Sequence, residues 1–170
     1  AQAVASGGSA EQKAAYLPSL LSGEIIAGYV HDAALSAEGN SLTGAAGFVA
    51  HGGSAQLFVV TSNSGAWLVA ADAPGVTVTV LTTMDQTRPY ARVTLAGAQG
   101  EPLADPAVAI AAAHRAGLAS AAAEALGAAQ ARPDRTVRHV VGRRARDRAA
   151  RCGPGLRLRT PGRMMQPPAP

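Results

Sequence analysis

The sequence predicts an α+β protein, in which a small antiparallel β-barrel or sandwich lies between a short N-terminal helix and one long Ala-rich C-terminal helix. Three patterns support this class. Short apolar runs separated by turn residues fill the segment from Glu24 to Leu95, helical spacing precedes them, and helical composition follows Asp105. The Arg-, Gly- and Pro-rich end of the chain has no periodicity, and we expect residues 145–170 to be disordered.

The N-terminal helix has clear start and stop signals. Ser9 is a helix cap, and Gln12 three residues later completes a Ser-x-x-Gln capping box. Ser22-Gly23 ends the helix. Its larger apolar residues share one face, namely Tyr16, Leu17, Leu20 and Leu21. An isolated helix of this length is marginal in water, and we expect no element before Ser9 to cover that face.

The middle of the chain reads as strands because its apolar runs are short and bounded by turn residues. Val and Thr alternate from Val76 to Val80, as in a half-buried strand. Asn63-Ser64-Gly65 is a hairpin signal, and Ala73-Pro74-Gly75 is a turn. The predicted strands are Glu24–Val30, Leu42–Ala50, Gln56–Thr61, Ala66–Ala70, Val76–Leu81 and Tyr90–Ala96.

The C-terminal helix is predicted from Ala107 to about Ala131. Asp105-Pro106 supplies an N-cap and a first helical residue, and Ala has the highest helix propensity. A proline inside a helix costs about 3 kcal/mol. We therefore expect the helix not to continue past residue 132, because Pro133 follows.

The composition indicates the size of the hydrophobic core and the cellular compartment of the protein. Of the 170 residues, 40 are Ala and six are aromatic, so the core is thin for the length. The sequence has no apolar run long enough for a membrane span and no signal-peptide pattern. A single cysteine, Cys152, fits a reducing compartment. We expect a cytoplasmic protein without a membrane span.

The net charge of +4 averages two different segments. Residues 1–131 carry a net charge of −5, whereas residues 132–170 contain eleven arginines and carry +9. A segment of this charge releases counterions from phosphates, so nucleic-acid binding by the tail is one open alternative. The tail has no aromatic residue on which a base could stack.

Six segments carry a resemblance to the acyl-CoA dehydrogenase family over about residues 7–144. The first resembles the family's Gly-Ser-x-x-Gln-Lys-x-x-Tyr-Leu-Pro-x-Leu-x-Ser-Gly-Glu, which closes its N-terminal helical domain. The segment from Thr83 resembles actinobacterial members that act on large lipid or steroid CoA thioesters. The six segments are Gly8–Glu24, Leu42–Ala50, Ala55–Val60, Trp67–Val76, Thr83–Val93 and Arg115–Gln130.

This resemblance implies a chain truncated at both ends. Residues 1–23 would be a remnant of the helical domain, 24–102 the β middle domain, 103–144 the first helix of the C-terminal bundle, and 145–170 the tail. The implied activity is the FAD-dependent α,β-dehydrogenation of an acyl-CoA thioester in fatty acid degradation or lipid metabolism. The implied partners are the acyl-CoA substrate and a homo- or hetero-oligomer with another subunit of this family. One chain alone is expected to be inactive, and the alternative is a non-catalytic subunit of a heteromer.

The resemblance also assigns candidate residues. His114 occupies the position before Arg115 where a subset of the family places its catalytic base, and a plain surface or interhelical histidine is the alternative. The cofactor-binding positions are Tyr29, Val30, His31, Phe48, Ala50 and Arg143. The alternative to a cofactor-binding role for Phe48 is that of a plain core residue. The four histidines share no metal-ligand spacing along the chain, and no metal site is predicted.

Overall fold

The computed structural model describes residues 1–32, 34–85 and 87–151, and for residues 132–138 and 145–151 it describes the backbone alone. The helices of this part are α1 (Gln2–Gly7), α2 (Ala10–Ser22) and α3 (Pro106–Arg151). Its strands are β1 (Ala27–His31), β2 (Ser36–Glu38), β3 (Ser41–Ala50), β4 (Leu57–Ser62), β5 (Gly65–Ala70), β6 (Val76–Leu81), β7 (Tyr90–Gln99) and β8 (Glu101–Pro102). The predicted α+β class is confirmed.

The strands form two four-stranded sheets, in the orders β1-β4-β5-β8 and β2-β3-β7-β6. All pairs are antiparallel except β1 with β4, whose register pairs Ala27 with Leu57 and His31 with Thr61. The expectation of purely antiparallel strands is therefore wrong at this pair. Parallel neighbours need a long crossover connection, and here β2 and β3 supply it.

The first hydrophobic cluster contains residues of both sheets. Val30, Phe58 and Val60 of the first sheet are 0–1% exposed. Leu42 and Leu95 of the second sheet belong to the same cluster. Fully burying side chains of this size contributes roughly 1.5–3 kcal/mol each, so this cluster is the main source of stability in the β-region.

A second cluster joins the first sheet to the helices. Val4 of α1 and Ala109 of α3 are completely buried, and they pack in one cluster with the buried Leu57 and Leu68 of the sheet. The apolar residues of α2 that pack against it are Tyr16, Leu17 and Leu20. The expectation that nothing before Ser9 covers α2 is wrong, because α1 precedes it and helps to build this cluster. The short α1 has no side-chain cap by which the sequence would reveal it.

The predicted capping of α2 is confirmed. The Ser9 hydroxyl accepts from the Gln12 N–H at 3.1 Å, and the Ser9 N–H donates to Gln12 Oε1 at 2.9 Å. Gly23 ends the helix with a φ of 80°, which favours glycine. Leu21, predicted on the buried face, is 75% exposed.

Helix α3 begins as predicted, with Asp105 Oδ1 accepting from the Val108 N–H at 3.0 Å. It does not end before Pro133 but continues to Arg151, seven residues into the segment expected to be disordered. Alanine and arginine both have high helix propensity, and they flank this proline. Residues 152–170 of that segment lie outside the described part.

The chain divides into two compact units, residues 1–120 and 121–170. The first contains both sheets and both clusters. The described part of the second, residues 121–151, is helical. No helix in the described part is both long and apolar enough to cross a membrane.

Candidate functional site

Strand β1 presents alternate side chains to its two sides, as the period of a strand requires. Val30 is fully buried in the cluster between the sheets. Tyr29 is 37% exposed and His31 is exposed. Their rings lie nearly parallel, with centroids 6.2 Å apart and an interplanar angle of 11°. Two of the three cofactor-binding positions predicted on β1 are therefore accessible side chains, whereas the third is a core residue.

The Thr61 hydroxyl forms hydrogen bonds with both of these side chains. It is completely buried on β4, where the parallel register places it beside His31. Its Oγ1 lies 2.9 Å from His31 Nδ1, donates to Tyr29 Oη at 3.0 Å, and lies 3.4 Å from the Val30 carbonyl oxygen. A hydroxyl has one proton. Once that proton is donated to Tyr29, the Thr61 oxygen accepts the Nδ1–H of His31.

His114 reaches the same place from α3. Its exposed ring packs edge-on against His31 with centroids 5.4 Å apart, and against Tyr29 with centroids 6.4 Å apart. The structure thus brings together two of the predicted cofactor-binding residues, Tyr29 and His31, and the candidate base His114. We call Tyr29, His31, Thr61 and His114 the histidine cluster.

A shallow groove of about 360 Å³ adjoins this cluster. It is lined mainly by small side chains of α1, β1 and α3, and Tyr29 forms part of its wall. The residues that α3 contributes are Ala113, Ala116, Gly117 and Ser120. Because these side chains are short, the groove leaves room for a small ligand beside Tyr29.

The remaining predicted residues lie elsewhere. Phe48 lies within the register shift of β3 between Ala46 and Val49, has a φ of 58°, and is 72% exposed, so the alternative of a plain core residue is wrong. Its ring packs edge-on against Tyr90 with centroids 6.2 Å apart. Ala50 presents an exposed methyl group at the end of β3. Arg143 is exposed on the part of α3 that belongs to the second unit.

At the loop after β1 and at Ala50, the donor groups of the described residues do not fit FAD. In the loop after β1, the Ala34 N–H donates to Asp32 Oδ1 at 2.8 Å, and the Leu35 N–H donates to the Asp32 carbonyl at 3.2 Å. A pyrophosphate needs free N–H groups, but here Asp32 takes them and adds its own negative charge. At the second predicted contact Ala50 lacks a hydroxyl, and the buried Thr61 hydroxyl is engaged with β1.

Sequence reasoning missed Thr61 and Tyr90. A threonine at the end of the apolar run Leu57–Val60 is a weak signal for a polar role, and only the parallel pairing of β1 with β4 places it under His31. Among the described residues, no group of three or more His, Cys, Asp or Glu side chains is arranged to hold a metal ion. The nucleic-acid alternative depends on residues 132–170, most of whose side chains are outside the described part.

Comparison with known proteins gives structural matches only. No protein-family model matches the sequence, and no curated protein sequence matches it. Solved structures match with TM-scores just above 0.5. A glutaryl-CoA dehydrogenase from Mycobacterium smegmatis in complex with FADH2 is 22% identical, with a TM-score of 0.52 over 63% of this chain and 34% of that chain.

Two further matches have the same extent. An acyl-CoA dehydrogenase from Geobacillus kaustophilus is 22% identical, with a TM-score of 0.51 over 61% of this chain and 34% of that chain. The ChsE4-ChsE5 complex from Mycobacterium tuberculosis is 28% identical, with a TM-score of 0.52 over 64% of this chain and 34% of that chain. This chain therefore spans about a third of the length of these proteins. Over that span it has the acyl-CoA dehydrogenase fold, and the resemblance predicted from its sequence is confirmed.

Proposed function

We propose that this chain is part of an acyl-CoA dehydrogenase-type oxidoreductase, which acts on the CH–CH bond next to an acyl-CoA thioester. We further propose that the chain alone has a structural role and no catalytic activity. The fold shared with acyl-CoA dehydrogenases supports the family assignment. The order of the six sequence segments supports it independently.

The proposal that the chain alone is inactive rests mainly on the hydrogen bonds in the loop after β1. Asp32 accepts the Ala34 and Leu35 N–H groups itself, so the described residues of this loop offer the flavin pyrophosphate neither of these two donors and no positive charge. His114 stands at an alternative base position, but its contacts with Tyr29 and His31 are ring contacts on an exposed surface. A general base needs an orienting partner, and these contacts do not provide a charged one.

The experiment is a flavin titration of the purified chain, followed by an assay of acyl-CoA-dependent reduction of an artificial electron acceptor. We expect no stoichiometric FAD and no turnover. Asp32→Ala removes the side-chain charge and frees the Ala34 N–H, whereas the bond from the Leu35 N–H to the backbone carbonyl of residue 32 remains, and the substitution should strengthen FAD binding. Asp85→Ala is the matched control, because Asp85 Oδ1 accepts from the Thr87 N–H in another exposed loop. Stoichiometric FAD on the unmodified chain would contradict the proposal.

A second candidate is a non-catalytic subunit of a heteromer. It rests on one observation, the match at 28% identity to the ChsE4-ChsE5 complex from Mycobacterium tuberculosis. In that case the partner supplies the flavin contacts that this chain lacks. The test is co-expression with a complete chain of the same fold: a stable complex whose FAD content is one per two chains supports it, and separate elution of the two chains contradicts it.

The same proposal includes the sheet architecture, the metabolic role and the cellular location of the protein. The two sheets sharing one hydrophobic cluster favour a β-sandwich for residues 24–102. A role in fatty acid degradation or lipid metabolism follows from acyl-CoA as substrate. The single cysteine favours a reducing, cytoplasmic environment. Fractionation of the producing cells would test the location directly.

A further inference from the structure

The histidine cluster has the geometry of a two-imidazole metal site. His31 comes from β1 and His114 from α3, and both rings are exposed, with centroids 5.4 Å apart and planes 87° apart. Two imidazoles on one tetrahedral Zn²⁺, each with a Zn–N distance of about 2.0–2.1 Å, have their centroids roughly 5 Å apart. The observed centroid distance therefore matches that of two imidazoles sharing one ion.

The surroundings of His31 resemble those of a metal ligand. Ligating histidines usually use one ring nitrogen to bind a partner that fixes the ring and its tautomer. Here Nδ1 lies 2.9 Å from the buried Thr61 Oγ1, whose proton is donated to Tyr29 Oη. In the tautomer whose Nδ1–H donates to Thr61 Oγ1, Nε2 keeps its lone pair, which is the group that a metal ion binds.

The groove described above meets the histidine cluster at Tyr29, and neither histidine is among its lining residues. Its wall on α3 is made of Ala113, Ala116, Gly117 and Ser120, close in sequence to His114. These residues carry no charge that would repel a cation and no bulk that would exclude water. Two protein nitrogens would leave the remaining coordination positions to water or to a small exogenous ligand.

We propose that His31 and His114 together bind one divalent late transition-metal ion, of which Zn²⁺ is the type, and that this ion ties α3 to β1. Imidazole suits Zn²⁺ and Cu²⁺ and binds Cu²⁺ more strongly, whereas Mg²⁺ and Ca²⁺ prefer oxygen ligands. The sequence spacing could not reveal this site, since 82 residues lie between the two histidines. The proposal is independent of any flavin chemistry.

The test is a Zn²⁺ titration of the full chain by calorimetry, with thermal unfolding followed in parallel. All proteins carry Cys152→Ser, so that the thiolate does not contribute. We expect one Zn²⁺ per chain, a higher unfolding temperature with Zn²⁺, tighter binding of Cu²⁺, and no effect of Mg²⁺. His31→Ala or His114→Ala should weaken Zn²⁺ binding at least about tenfold, and Thr61→Val should weaken it by about 10–100-fold.

The matched control is His51→Ala, which removes an exposed histidine that lies in the turn after β3. It should leave both Zn²⁺ affinity and the Zn²⁺-dependent stabilisation unchanged. Circular dichroism checks that each variant folds, and His31→Gln with His114→Gln replaces the alanine variants if they do not. Retention of the one-equivalent binding in the folded double variant, or an equal loss in His51→Ala, would overturn the proposal.

Discussion

Gln12 is the residue that joins α2 to the end of the first sheet. Its side chain is 6% exposed, and its Nε2 donates to Glu101 Oε1 at 2.7 Å and to the Pro102 carbonyl at 2.9 Å. Its Oε1 also accepts the Ser9 N–H. Gln12→Ala leaves these groups without their partner in a largely buried place, so we expect a loss of about 1–3 kcal/mol in the free energy of unfolding.

Urea denaturation monitored by Trp67 fluorescence measures this loss. Gln2→Ala is the matched control, because Gln2 is an exposed glutamine of α1, and surface substitutions usually change stability by less than about 0.5 kcal/mol. Equal effects of the two substitutions would mean that the Gln12 bonds contribute nothing beyond helix propensity.

Tyr16 makes the stability depend on pH at the same junction. Its hydroxyl donates to Glu101 Oε2 at 2.8 Å, and this bond, followed by partial burial, raises the pKa of Tyr16 above its usual value. A group whose pKa is raised on folding stabilises the protein fully below its unfolded pKa, near 10, and this stabilisation is lost as pH rises through the folded pKa. Wild type should therefore exceed Tyr16→Phe in stability at neutral pH.

The difference should shrink above about pH 10, where the phenol of the unfolded chain ionises. Denaturation of both proteins over a pH series measures it, because Tyr29 and Tyr90 are common to both and cancel. A difference that stays constant across this range would show that the Glu101 bond does not determine how Tyr16 titrates.

At the scale of elements, α1 packs against the start of α3 through a glycine. The Asp105 N–H donates to the Gly7 carbonyl at 2.8 Å, and a Cβ on Gly7 would lie 2.6 Å from the Ala109 Cβ. Gly7→Ala should therefore destabilise by roughly 1–3 kcal/mol through overpacking. Gly117→Ala has open space around its Cβ and should stabilise α3 by about 1 kcal/mol. Urea midpoints of both variants test this contrast, and two changes of the same sign would contradict it.

The elements that could be predicted from the sequence are those whose residues show a clear repeating pattern or capping motif. Val76–Leu81 has the predicted bounds because Val and Thr alternate there, and α2 begins at its capping box. The two-residue β8 and the six-residue α1 are too short to show a period, and long-range packing forms them. The site follows the same rule: resemblance gave Tyr29, His31 and His114, but only tertiary structure brings them together.

For the whole molecule, every described buried residue lies at or before Ala112. Both hydrophobic clusters are therefore complete within the first unit, residues 1–120. An isolated helix gains little stability in water without tertiary packing, so residues 121–170 should not contribute to the cooperative unfolding of the sheets. A chain ending at Ser120 should keep its free energy of unfolding within about 0.5 kcal/mol.

Trp67 is the only tryptophan, and it is 6% exposed in the cluster between the sheets, so its fluorescence reports on that unit alone. Removing residues 121–170 should lower the helical signal in far-UV circular dichroism while the Trp67 transition keeps its midpoint and slope. Loss or broadening of the Trp67 transition would show instead that the sheets need the second half of α3. An unchanged transition would assign the stability of the chain to the two sheets and the helical segments packed on them.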